Sequence, residues 1–314
     1  MVDPLVSIII PTYNRQRWIG ECLEAIQRQT YRNFEAIVVD DGSTDGTVEW
    51  LRSQPQYSFV RIHVQERNGG ASTARNTGVQ MAAGDLITFI DSDDMLEADH
   101  LETAVKAFAQ YPNLGLFCCD AVMIGPEGEV LHNGRTWHEV NGEIKSYPVK
   151  TGLRGLEDVF RFSNSFPGFT LRRDVFETVG RLDQSIFPLD DYDLALRVAG
   201  GGYEVYYCHR PLAQYRDHGG NSSGAGNQIE VGVKKLRTLE LALERYPRLR
   251  ESRPVVSRRL GEVMVELAVS HQRAGNYHAA AGVLLKALLT DPSQLRQVYR
   301  LLGGRTHKLI AREV

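Results

Sequence analysis

The sequence predicts an α/β fold built on a mainly parallel sheet with helices on both faces, followed by a helical C-terminal extension. Three observations predict it. Short β-branched runs alternate with helical stretches of roughly 10–15 residues through the N-terminal third, the pattern of successive βα units. The runs Ser7-Ile8-Ile9-Ile10 and Ala36-Ile37-Val38-Val39 are continuously apolar, as strands covered on both faces are. Four polar clusters each follow one of these runs, and an open α/β sheet gathers such clusters at one rim.

The elements follow in order. Val6 to Ile10 reads as a first strand, bounded by Pro11. Trp18 to Gln29 has helical spacing, with Ile19, Cys22, Leu23 and Ile26 on one face. Phe34 to Val39 is a second strand that runs into Asp40-Asp41-Gly42, and Ser43-Thr44-Asp45 is expected to open a helix through about Arg52. Val60 to Val64 is a third strand, and Ala71 to Ala83 a helix stopped by Gly84. Leu86 to Ile90 is a fourth strand, Leu101 to Ala109 a helix, and Leu114 to Cys119 a fifth strand. Gly125-Pro126-Glu127-Gly128 marks the turn of a hairpin. Residues 155–218 return to mixed helix and strand, 219–227 are a glycine–serine loop, and the chain beyond about 229 reads as helices only. A boundary near 225 divides it into a domain over residues 1–225 and a helical extension over 226–314.

Composition narrows the class. A chain of 314 residues holds one large or two ordinary domains. Apolar residues make up 42% and charged residues 24%, a globular balance. With 36 basic against 39 acidic residues the net charge is −3, so a global field for nucleic acid is absent and no nucleic-acid partner is expected. No apolar run approaches the ~18 residues of a transmembrane span, and Leu5 to Ile10 follows an acidic start without the basic region of a secretory signal. Cys22, Cys118, Cys119 and Cys208 lack C-x-x-C spacing and are expected to be buried thiols of a cytoplasmic protein.

The polar clusters narrow the ligand. They are Pro11-Thr12-Tyr13-Asn14, Asp40-Asp41-Gly42-Ser43, Asn68-Gly69-Gly70 and Asp91-Ser92-Asp93-Asp94. Asp91-x-Asp93 sets two carboxylates side by side, and Mg²⁺ commonly bridges such oxygens to substrate phosphates. Asp40 and Asp41 offer acceptors for a base N–H or ribose hydroxyls, Tyr13 a face for stacking, and Arg75 a forked donor for phosphate. Each cluster alone also reads as an ordinary turn or helix cap. Together, in this order and at these strand ends, they predict a metal-bound nucleotide diphosphate.

These residues resemble the family 2 glycosyltransferases, inverting enzymes of the GT-A fold. The resemblance lies in Val6-Ser7-Ile8-Ile9-Ile10-Pro11-Thr12-Tyr13-Asn14-Arg15, in Val39-Asp40-Asp41-Gly42-Ser43-Thr44-Asp45, in Asn68-Gly69-Gly70-Ala71-Ser72-Thr73-Ala74-Arg75-Asn76-Thr77-Gly78, and in the Asp91 to Asp94 run. It covers about residues 5–220. It implies that Asp40 or Asp41 binds base and ribose, typically of uridine, and that Pro11, Thr12 and Tyr13 line the base pocket. It places Arg75 near the diphosphate and donor sugar, Asp91 and Ser92 on the donor, and Asp93 on a divalent metal, Mn²⁺ or Mg²⁺.

Inversion requires a general base on the acceptor hydroxyl. Pro188-Leu189-Asp190-Asp191-Tyr192-Asp193-Leu194 looks like the family's Glu-Asp motif, which assigns the base to Asp191 and puts Asp190 where the family has Glu. Acids at a helix start also serve the helix dipole, so capping and catalysis are compatible here. Gly168 and Phe169, within Ser165-Phe166-Pro167-Gly168-Phe169, resemble the acceptor-side wall, with Asp190 beside them. His218, in Tyr215-Arg216-Asp217-His218, matches a position that reaches the metal or diphosphate, and loop 219–227 would close over the donor.

Absent motifs exclude neighbours of this reading. No Gln-x-x-Arg-Trp appears, so transfer of single residues is expected and not processive synthesis. Neither a G-x-x-x-x-G-K-[ST] loop nor a G-x-G-x-x-G after a strand is present. Met264, Leu267, Ala268, Gly275, Tyr277, Ala280, Ala287 and Pro292 resemble one tetratricopeptide repeat, a helix pair that needs a further surface to cover it. Arg296, Arg300, Arg305, His307, Lys308 and Arg312 make the tail basic, which reads as a solvated helix face or, alternatively, as attraction to the inner face of an anionic membrane.

The sequence thus predicts metal-assisted transfer of a sugar from a UDP-linked donor to a glycan, lipid-linked or protein acceptor. The alternative is a non-catalytic nucleotide-sugar scaffold acting through its helical tail.

Overall fold

A computed structural model describes residues 3–141, 150–161, 168–221 and 227–294. Four of its strands, β1 (Val6–Thr12), β2 (Phe34–Asp40), β3 (Val60–Val64) and β4 (Leu86–Phe89), pair in parallel in the order β3-β2-β1-β4. β1 and β2 form because their β-branched residues lie flat between two helical layers, and both are buried almost throughout.

The expected mainly parallel sheet is in fact mixed. β8 (Phe169–Arg172) runs antiparallel between β4 and β6 (Leu114–Ile124). β9 (Glu204–Arg216) returns parallel to β6, while β5 (Met95–Leu96) and β7 (Gly152–Arg154) pair with it antiparallel. Hydrophobic runs carry no direction, so short Phe169-Thr170-Leu171-Arg172 gave no sign that it would enter the sheet centre reversed. The fifth predicted strand, β6, extends to Ile124, and the turn at Gly125 carries the chain back to bridges at Val130 and Thr136.

Helices cover both faces. On one, α1 (Ile19–Gln27) and α4 (His100–Gln110) set Ile19, Cys22, Leu23, Leu101, Ala104 and Phe108 against Val6, Ile8, Ile10 and Phe117. Full burial of each large aliphatic side chain stabilises the fold by about 1.5–3 kcal/mol. On the other, α3 (Ala71–Met81) lies on β1 and β2, and α8 (Asp190–Gly200) on β6 and β9. α3 approaches closely because Gly78 has no side chain: a Cβ there would lie 2.3 Å from Ile9 Cγ2. Shorter α2 (Thr47–Arg52), α5 (Trp137–Asn141), α6 (Leu156–Arg161) and α7 (Arg173–Val179) fill the connections.

α2 starts at Thr47 and not at Ser43. Gly42 and Gly46 take φ of 83° and 87°, which a right-handed helix does not accept. Asp45 Oδ1 then accepts the Thr47 N–H at 3.0 Å across the N-cap Gly46, an Asx turn that leads into the helix. All four cysteines are buried free thiols.

The chain divides into two compact units, Met1–Val159 with Asn164–Asn221, and Phe160–Ser163 with Ser222–Val314. The second contains α9 (Gln228–Arg245), α10 (Arg253–Arg273) and α11 (Tyr277–Thr290). α10 and α11 form a hairpin around Val265 and Ala287, turning at Gly275 with φ 78°. The basic tail from Arg296 to Arg312, residues 222–226 of the glycine–serine loop, and Ser165, Phe166 and Pro167 lie outside the described residues. Among the described residues no helix is long and apolar enough to cross a membrane.

Candidate active site

Strand order reverses at β1, which pairs with β2 on one side and β4 on the other, and ligands of open α/β sheets bind outside the carboxyl ends at such a point. The register places Thr12 opposite Asp40, and the Asp41 N–H donates to Thr12 O at 2.7 Å. Asp91 follows β4 at the same edge, where the Ile90 N–H donates to Ile9 O. Topology thus brings three of the predicted clusters together.

The fourth, Asn68-Gly69-Gly70, is tied in by Asp41. Asp41 Oδ1 accepts from Gly69 N at 2.8 Å and from Gln65 Nε2, and Oδ2 accepts from Gly70 N at 2.7 Å. Asp41 is therefore spent on shaping the rim. Asp40 differs: Oδ1 accepts from Gly42 N and Ser43 N, while Oδ2 is buried without a partner. A buried acceptor left in this way costs about 1–3 kcal/mol, which a ligand donor would recover. Of the predicted base pocket, Pro11 and Thr12 are buried in β1 and Tyr13 stands exposed at the rim.

Beyond β4, one carboxylate oxygen from each of Asp91, Asp93 and Asp94 lies within 4.8 Å of the others. Oxygen donors at this spacing suit a hard divalent cation. Ser92 is buried between them. Asp93 Oδ2 accepts from Arg15 Nε at 2.8 Å and from His218 Nε2 at 3.0 Å. Burial would raise the Asp93 pKa, but the His218 hydrogen bond and the Arg15 charge outweigh it and hold the carboxyl below its ordinary value. Asp94 is pushed well up by burial and by the neighbouring Asp93 and Asp91 charges. His218 Nδ1 accepts from Gly220 N at 3.0 Å, which leaves the ring proton on Nε2, facing Asp93.

Arg75 joins this cluster to α8. Its Nη2 donates to Asp91 Oδ1 at 2.6 Å and its Nη1 to Asp190 Oδ2 at 3.0 Å. Burial opposes the Arg75 charge, yet Asp91, Asp190 and, less strongly, Asp191 push its pKa up, so the guanidinium stays charged. Asp190 also accepts from Ser72 Oγ at 2.8 Å and is buried. Asp191, the next residue, is half-buried at the start of α8, and its Oδ1 accepts its neighbour's N–H. Gly168 and Phe169 are buried, with Phe169 5.0 Å from the Phe89 ring and Gly168 (φ 69°) tight against Leu96 and His100.

Sequence reading missed two side chains that organise the site. Arg216 is fully buried and donates to Asp93 O, Gly125 O, Pro126 O and Glu21 Oε2, while its backbone N–H donates to Asp94 Oδ1. Trp18 stacks on His218 at 4.5 Å and donates through Nε1 to Pro126 O. Their partners lie far along the chain, so no local pattern announces them.

Comparison with known proteins agrees with this geometry. The sequence profile described as Glycosyl transferase family 2 matches residues 7–180, more than half of the 314. Glycosyltransferase GlyA of Streptococcus pneumoniae is 39% identical over 111 residues, 35% of this chain and 16% of that one. This chain thus spans a small part of that relative's length. Two solved structures share the fold. TarS residues 1–349 from S. aureus, in complex with UDP-GlcNAc, has a TM-score of 0.59 and 18% identity, covering 93% of this chain and 91% of that one. Mannosyltransferase PcManGT from Pyrobaculum calidifontis, in complex with GDP-Man and Mn²⁺, has a TM-score of 0.61 and 21% identity, covering 99% and 86%. With the aspartate cluster, the Asp41-pinned glycine loop and the acidic start of α8 on one rim, the chain belongs to glycosyl transferase family 2.

Proposed function

We propose that the protein transfers a single sugar from a nucleotide-diphosphate donor, UDP-linked, to an acceptor hydroxyl with inversion at the sugar carbon. The observation that carries this is the Asp91–Arg75–Asp190 chain of ion pairs, which sets the aspartate cluster and the start of α8, where Asp191 follows Asp190, at two ends of one buried guanidinium. Asp40 Oδ2 would accept a base N–H and Tyr13 would stack on the base. Arg75 would offer its forked donors to the diphosphate and sugar, and Asp191 would take the acceptor's proton. Asp93, with Asp91, Asp94 and His218 beside it, would hold Mn²⁺ or Mg²⁺, and the three clustered carboxylates fit a hard cation. When bound, such a cation supplies charge stabilisation to the departing diphosphate.

A nucleotide-sugar donor also fits the ligands named for the structural neighbours, UDP-GlcNAc for TarS and GDP-Man with Mn²⁺ for PcManGT. Calorimetric titration with UDP and with GDP, each in Mn²⁺ and in EDTA, tests the reading. The expected result is UDP binding that is lost in EDTA. Stronger GDP binding would overturn the donor base, binding undiminished by EDTA would overturn the metal, and no binding of either nucleotide would overturn the donor site.

A further inference from the structure

Arg15 occupies an unexpected place for a cation. Its Nε lies 2.8 Å from Asp93 Oδ2, on the same oxygen that accepts from His218. The arginine is not a loose surface side chain. Its backbone N–H donates to Thr47 Oγ1 at 3.0 Å, and its Nη1 folds back to Tyr13 O and Asn14 O at 3.1 and 3.2 Å. The preceding Asn14 takes a left-handed φ of 53° and is fixed by Ser43 Oγ and Thr44 N. The guanidinium also lies 5.8 Å from the centre of the Trp18 ring, which stacks on His218. A positive charge is thus built into the wall of the aspartate cluster and held there by the β1–α1 loop.

That charge has opposite effects on two ligands. A divalent cation entering among Asp91, Asp93 and Asp94 competes with Arg15 for Asp93 and is repelled by it at short range. A diphosphate arriving with the cation adds negative charge beside both, and Arg15 then attracts the incoming complex. Accepting the donor and metal reading given above, we propose that Arg15 couples the two. It weakens binding of the divalent cation alone and strengthens binding of cation and nucleoside diphosphate together, so the metal enters as a partner of the diphosphate. By linkage, the cation must then raise nucleotide affinity by the same factor that the nucleotide raises cation affinity.

The test is Mn²⁺ titration of the full chain, followed by the paramagnetic signal of free Mn²⁺, in the absence and presence of saturating UDP, with GDP in parallel. The variants are Arg15→Gln, Arg15→Lys and, as a control of equal charge change, Arg17→Gln, whose residue pairs with exposed Glu127 and not with Asp93. A thermal melt confirms that each is folded. Arg15→Gln is expected to bind Mn²⁺ alone about tenfold more tightly and to show a nucleotide–metal coupling factor about tenfold smaller, within the usual range of such couplings. Arg15→Lys should retain most of the coupling, and Arg17→Gln should match the wild type. The proposal is overturned if Arg15→Gln leaves the coupling unchanged or weakens Mn²⁺ binding alone, because Arg15 would then only orient Asp93. It is also overturned if Arg17→Gln has the same effect. If no form binds Mn²⁺ with or without nucleotide, the metal reading itself fails, which is a different result from equal binding in all forms.

Discussion

At the scale of single residues, this fold places charge where burial alone would remove it and pairs nearly every such charge. Arg75 and Arg216 are both buried and both bridge the aspartate loop to other elements. His100 shows the reverse case, a buried group kept neutral. Burial pushes its pKa down from 6.5 to about 4, although Nδ1 lies 3.1 Å from Leu212 O. The folded state therefore binds this proton less readily than the unfolded chain. The stability from a neutral His100 is complete above pH 6.5 and is lost as pH falls toward about 4, amounting to about 3 kcal/mol. His100→Leu should flatten the stability–pH profile across that window, as measured by urea unfolding at several pH values. A profile as steep as the wild type's would remove His100 from the account.

At the scale of elements, α3 connects packing to chemistry. Its Ser72 and Arg75 point to Asp190, and Asn76 exchanges two hydrogen bonds with the backbone of Leu182, in the segment leading to α8. The helix can hold this position only because Gly78 lets it lie on Ile9. Gly78→Ala would drive a methyl into Ile9 Cγ2 and lift the helix, at a cost of about 1–3 kcal/mol. A lowered urea midpoint with an unchanged slope would bear this out, and an unchanged midpoint would contradict it.

The same elements show what a sequence makes legible. β1, β2, β3, β4 and α3 follow from apolar runs and glycine punctuation, because in them local pattern and final environment agree. The motif aspartates were legible because topology fixes strand ends at one rim. The short strands β5, β7 and β8 were not, since their place in the sheet comes from pairing across the chain. Nor were the site's pairings: Arg15 lies 78 residues from Asp93, and Arg216 lies 123 residues from the Asp93 carbonyl. Asp40 and Asp41 looked equivalent in sequence. Only the fold shows that one shapes a loop while the other keeps a buried oxygen available.

At the scale of the whole molecule, the first unit holds every residue assigned to the site, and the helical unit contributes none of them. The central claim is that this unit performs inverting transfer with Asp191 as base. Asp191→Asn keeps the size of the side chain and removes its basicity, whereas the ion pairs of Arg75 with Asp91 and Asp190 do not involve it. The direct measurement is the rate of UDP release from a UDP-sugar in Mn²⁺, beside the affinity for UDP, in the wild type and in Asp191→Asn. Loss of a general base predicts a rate lower by roughly 10²–10⁴-fold with UDP affinity unchanged. A variant that releases UDP as fast as the wild type would contradict the assignment of Asp191 and the mechanism built on it.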